Sequence, residues 1–208
     1  MKLKKIASLA LAGIMAVSML AGCKDGSSSS SEPTNPVTPV TGAAAIIDEA
    51  LDENSEKVAF TDNEIIAGLM ADYYAENPIT EDVWNAGVNG LDKLADTKLS
   101  EAIKAVIGDT KANRDLGFVS DVTSTDKESF VSVYVFNNDF VSKDNALRMV
   151  GKYIDSLNLP DDNKNGATAA THDYKYVGSV AAVEAESDGG TESVWVIAVS
   201  ITRTASKK

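Results

Sequence analysis

Two stretches in the C-terminal half leave this chain few ways to fold. In Phe130–Phe136, Val131, Val133 and Val135 point one way, and Phe130, Tyr134 and Phe136 point the other. In Glu192–Thr204, Trp195, Ile197, Val199 and Ile201 share a face, with Val194, Val196 and Ala198 opposite. A period of two with apolar side chains on both sides marks a strand covered on both faces. The chain must therefore supply helices to cover a sheet.

Around these strands the order is legible. Leu116–Thr123 alternates, with Leu116, Phe118 and Val122 away from Asp121, and Ser124–Glu128 suits a hairpin loop into the next strand. Asn137-Asn138-Asp139 breaks that strand, and Ser142 is placed to cap a helix whose stripe is Ala146, Leu147, Val150, Tyr153, Ile154 and Leu157. Pro160 and the polar run Asp161–Gly166 end it. Tyr174–Glu186 then returns through Ser187-Asp188-Gly189-Gly190-Thr191 into Glu192–Thr204, a strong hairpin signal.

Residues 44–113 read as helical instead. A short helix is expected around Ala44–Glu53. Thr61 and Glu64 form a capping box, flanked by Phe60 and Ile65 at staple positions. Ile65, Ile66, Leu69, Met70, Tyr73 and Tyr74 then recur at helical period until Asn77-Pro78. A second helix from about Thr80 carries Val83, Trp84, Val88, Leu91 and Leu94, where Gly87 and Gly90 predict a break or a close helix contact. A third carries Leu99, Ala102, Ile103, Val106 and Ile107 and closes at Gly108. The expected class is α+β: an N-terminal helical segment packed with a four-stranded, mainly antiparallel β-β-α-β-β sheet, forming one domain over residues 43–208, with its β-rich part at about 116–204.

Composition narrows the chemistry. The chain holds one cysteine, Cys23, and one histidine, His172, so an internal disulfide, a cysteine-type zinc site and any site needing two histidines are excluded. A net charge of −12 argues against nucleic acid as a partner.

The first 42 residues read as an address. Met1–Lys5 is basic, and Ile6–Leu20 is uncharged, apolar or small, and below the ~20 residues of a membrane-spanning helix. Leu20-Ala21-Gly22-Cys23 follows and resembles the lipobox of bacterial lipoproteins. The resemblance implies removal of residues 1–22, diacylglycerol (with palmitate-type chains) on the Cys23 thiol, and anchoring on the extracytoplasmic face of the cell membrane. Cleavage removes Lys2, Lys4 and Lys5 with no acid, so the net charge of −12 falls by three. Residues 23–42, with serines at 27–31 and prolines at 33, 36 and 39, have no apolar period and read as a flexible linker.

Three constellations are candidates for chemistry. Asp161, Asn163, Asn165 and Gly166 match positions 1, 3, 5 and 6 of an EF-hand calcium loop, but position 12 is His172 where that loop has glutamate. His172 beside Asp173 is the sole histidine available as a general base, without a Gly-x-Ser-x-Gly elbow to supply its serine. Glu184, Glu186 and Asp188 gather at a hairpin tip. Tyr73, Tyr74, Trp84 and Trp195 are either core or a ligand-facing aromatic patch. The reading is a lipid-anchored binding domain with an unknown extracytoplasmic ligand or protein partner and no assigned catalytic, metal or cofactor residue. The alternatives are a small cell-envelope hydrolase using carboxylates or His172, and a calcium-dependent binding module.

Overall fold

The computed structural model describes residues 37–88, 92–93, 97–107, 127–164 and 169–208. Its elements run β1 (Thr38–Pro39), α1 (Ala43–Ala50), β2 (Phe60–Asp62), α2 (Glu64–Glu76), α3 (Glu81–Val88), β3 (Asp92–Lys93), α4 (Thr97–Ile107), β4 (Lys127–Asn137), α5 (Lys143–Asp155), β5 (His172–Glu186) and β6 (Ser193–Lys207). The fold is α+β, and the expected strands over Phe130–Phe136, Tyr174–Glu186 and Glu192–Thr204 are β4, β5 and β6. The expected strand over Leu116–Thr123 lies outside the described residues, as do Gly90 and Gly108.

β6 is the centre of the sheet and pairs antiparallel with β5 on one side and β4 on the other. β4 and β5 therefore run parallel to each other, and α5 carries the crossover between them. The β5–β6 hairpin pairs from His172 with Lys207 to Glu186 with Ser193. Its turn places Gly189 and Gly190 at φ 95° and 68°, a region costly for residues with a Cβ. Three short strands from the N-terminal half, absent from the expected four-stranded sheet, border this unit: β1 antiparallel and β2 parallel on β5, and β3 antiparallel on β4. The sheet thus takes in residues whose composition reads as linker, since Thr38 pairs with Glu184 and the Val40 N–H donates to Ala182 O at 2.8 Å.

Alternation divides the core into two layers. Phe130, Tyr134, Phe136, Ile197, Val199 and Ile201 face α1 and α5, whose Ile47, Leu147, Val150 and Ile154 are fully buried. Val131, Val133, Val135, Val194, Val196 and Ala198 face the opposite layer, with Ile66 and Met70 of α2 and Leu99 and Ile103 of α4. Both faces of β4 and β6 are covered, as their pattern requires. Ser142 caps α5 by accepting from the Asn145 N–H.

Three features of the helical layers depart from the sequence reading. The helix expected to run on to Leu94 ends at Val88, and Asp92–Lys93 pairs with β4 as a strand. Thr61 is not a cap: residues 60–62 pair with Gly178–Val180, so α2 starts later, with Asn63 accepting from the Ile66 N–H at 3.0 Å. Phe60 is buried beneath β5 and Ile65 is 72% exposed, so the pair forms no staple. Strand pairing over three residues outweighs a local capping preference here. Asp62 instead caps α1 from a distance, accepting from the Gly42 and Ala44 N–H groups at 2.8 Å each. At Gly87 the close approach is to β4 rather than to a helix, because a Cβ there would lie 2.6 Å from Asn137 N.

Asn54 joins the two helices of one layer. It is 3% exposed, and its Nδ2 donates to the carbonyls of Ile154, Asp155 and Leu157 at the end of α5. Asp155 returns the favour by accepting from the Asp52 and Asn54 N–H groups. The carbonyls left over at a helix C-terminus are thereby satisfied without a glycine cap.

Candidate functional site

The calcium-like loop is organised by its second oxygen position. Asn163 Oδ1 accepts from the N–H groups of Thr171 and His172 at 2.8 and 2.9 Å, and its Nδ2 donates to Thr171 Oγ1. The Asp162 and Asp173 backbones pair antiparallel: the Asn163 N–H donates to His172 O, and Asp161 O accepts from the Tyr174 N–H. The Asp161 carboxylate faces Lys57 at 3.5 Å. Asp162 accepts from the Lys164 N–H, which with the Lys208 ammonium holds its carboxyl below the usual carboxylate range. Of the oxygens that would converge on an ion, that of Asn163 accepts from backbone N–H groups and one of Asp161 faces an ammonium. Asn165 and Gly166 lie outside the described residues. Among the described residues no three histidine, cysteine, aspartate or glutamate side chains group closely enough to hold a metal.

His172 is buried at the head of β5, with Nδ1 2.9 Å from Thr171 Oγ1. Asp173 follows it on the strand and so points to the opposite face, where it meets Lys208 at 2.9 Å. Strand alternation therefore separates the pair that a Ser-His-Asp arrangement would need adjacent. At the other end of β5, Glu184 accepts from Asn138 Nδ2 and from Ser193 Oγ, stitching the hairpin to the end of β4. Asp188 is exposed in the turn.

The aromatic side chains are largely spent on the core. Tyr74 is 5% exposed, and Tyr73 and Trp84 pack at the margin of the same layer. Trp195 packs against the other layer and donates through Nε1 to Val141 O at 3.1 Å.

Two concavities lie along β5. The first is a polar groove of about 330 Å³ lined by Glu56, Lys57, Asp161, Tyr174, Lys175 and Tyr176. Beneath it sits Arg203, 1% exposed, paired with Glu128 and stacked 4.6 Å from the Tyr174 ring centroid. Tyr176 donates to Pro160 O at 2.6 Å, and burial pushes its hydroxyl up to about 12 against the opposing charge of Arg203. Arg203 was legible in principle. Extending the alternation of Trp195–Ile201 by two residues places it on the core face, where a buried charge requires partners.

The second concavity is a more apolar cleft of about 320 Å³ where β1, β2 and α2 meet the edge of β5. Val40, Ala67, Val180 and Ala181 form much of its wall, and Asp62 and Glu64 stand in its lining. No known protein family matches the chain, and neither the curated proteins nor the solved structures contain a match. No helix among the described residues is long and apolar enough to cross a membrane.

Proposed function

We propose that this chain is an extracytoplasmic lipoprotein, anchored through lipid on Cys23, whose domain binds a ligand or partner without catalysing a reaction on it. The observation that carries the reading is Leu20-Ala21-Gly22-Cys23 behind a basic start and a short apolar stretch, ahead of a Ser/Pro-rich tether. Cys23 is the only cysteine, so lipid has no competitor for its thiol within the chain. Two acyl chains or more give stable anchoring, at ~0.8 kcal/mol per buried CH₂. The binding half of the reading draws on the domain. His172, Asp162, Asn163 and Glu184 are committed to local structure. Among the described residues, the polar groove and the apolar cleft along β5 are open to a ligand.

The test is fractionation with metabolic labelling by a palmitate analogue. The wild-type chain is expected in the membrane fraction and labelled, whereas Cys23→Ser is expected to be unlabelled and released. Unchanged membrane retention of Cys23→Ser would overturn the anchor.

A further inference from the structure

We propose that the cleft between β1, β2 and α2 binds a small, mainly apolar molecule carrying one ammonium group. This rests on the reading of the domain as a binding module and not on the lipid anchor. At about 320 Å³ the cleft falls at the small end of ligand sites. Its walls are held by bonds already made. The Val40 N–H donates to Ala182 O at 2.8 Å and the Asn63 N–H to Val180 O at 2.7 Å, while Asp62 ties down the start of α1. A cleft framed in this way loses little entropy when filled.

Gly68 gives the second argument. It lies in the interior of α2, where glycine costs helix stability relative to alanine. At Gly87 and Gly151 the glycine is explained by backbone or side chains closer than 3.0 Å to a would-be Cβ. At Gly68 a Cβ would meet nothing within 4 Å. Packing therefore does not require this glycine, and the space beside it is open to a ligand.

Charge selects the ligand. Among the described residues the lining contains two carboxylates, Asp62 and Glu64, and no lysine or arginine. Asp62 uses both oxygens on the amides of α1, so Glu64, exposed at the head of α2, is the group that meets the ammonium. The N-terminus of α2, which would favour an anion, already has Asn63 as its cap.

The experiment is an amide chemical-shift titration of the full chain with hexylamine, hexanol and hexanoate. Hexylamine is expected to move the Ala67, Gly68, Val180 and Ala181 resonances saturably, hexanol about threefold more weakly, and hexanoate not at all. Gly68→Leu, which fills the space, is expected to abolish the response. Glu64→Gln, at an exposed site that leaves the fold intact, is expected to reduce hexylamine to the affinity of hexanol. Equal affinities for amine and alcohol, saturable binding of hexanoate, an unchanged response in a folded Gly68→Leu, or no response to hexylamine would each overturn the proposal. Membrane fractionation reads the anchor independently, so failure here leaves that reading standing.

Discussion

Gly151 of α5 faces Ala50 of α1 so closely that a Cβ on Gly151 would lie 2.7 Å from the Ala50 Cβ and 3.0 Å from Ile47 O. The helices of this layer meet through a missing side chain. Gly151→Ala should therefore separate them and destabilise the fold by about 1–3 kcal/mol, the usual cost of overpacking. Gly68→Ala makes the contrast, since nothing opposes its methyl group and helix propensity favours it by up to ~1 kcal/mol. Urea unfolding of the two variants beside wild type reads both signs at once. A Gly151→Ala variant as stable as wild type would show that the helices can part without loss.

Much of this fold is written in alternation, which is a local property. Val131 and Phe130 are neighbours whose opposite destinations follow from the pleat alone, and the two core layers divide as their spacing requires. What alternation does not carry is choice among long-range partners. Thr61 and Asn63 both suit a cap, and the decision falls to pairing with Ser179, more than a hundred residues away. Asn163 has the residue type of a calcium ligand, yet its oxygen is taken by the amides of Thr171 and His172 once β5 folds back on the loop. Asn54 gave no signal, because its partners are the closing carbonyls of a helix distant in sequence. The cleft walled by Val40, Ala67 and Val180 draws on three separate elements, so no spacing within one of them announces it.

The Arg203–Glu128 pair makes a second prediction. Arg203 is 1% exposed and Glu128 supplies its carboxylate from the neighbouring strand, at the directly opposed position. Glu128→Ala leaves a buried guanidinium without that carboxylate. The loss should approach the ~3–5 kcal/mol seen on breaking buried pairs, reduced because the Glu128 side chain retains 20% exposure. Replacing both groups, as Arg203→Met with Glu128→Leu, should recover most of that loss, since an apolar pair has no charge to desolvate. Chemical denaturation of the single and double variants closes the cycle. Strictly additive losses would mean that the two residues do not act as a pair.

At the loop before β5, the structural use of Asn163 predicts the response to calcium. Asn163→Ala removes the acceptor for two backbone N–H groups, and should destabilise by about 1–3 kcal/mol. Calcium should leave the melting temperature of the wild-type chain where chelator leaves it, because Asn163 already has donors and Asp161 faces the Lys57 ammonium. A ligand that bound only the folded state at a hundred times its Kd would add about 2.7 kcal/mol, a shift well within reach of a thermal melt. A calcium-dependent rise of that kind would restore the metal reading of Asp161–Gly166.

Tyr176 contributes to the loss of stability at alkaline pH. Burial raises its pKa to about 12, above the ordinary 10.0, while Arg203 pulls in the opposite direction. An acid raised in the folded state gives up its proton first in the unfolded chain. The stability associated with neutral Tyr176 is therefore intact below pH 10 and is lost as pH climbs from 10 towards 12. One proton contributes a slope of roughly 1.4 kcal/mol per pH unit across that window. Tyr176→Phe should lower stability at neutral pH by about 1 kcal/mol, through loss of the bond to Pro160 O, and should remove this part of the alkaline slope. Lysines and the other tyrosines titrate in the same range, so the quantity to measure is the difference between wild type and Tyr176→Phe in urea midpoints across the window. A difference that stays constant with pH would place the Tyr176 hydroxyl in contact with water.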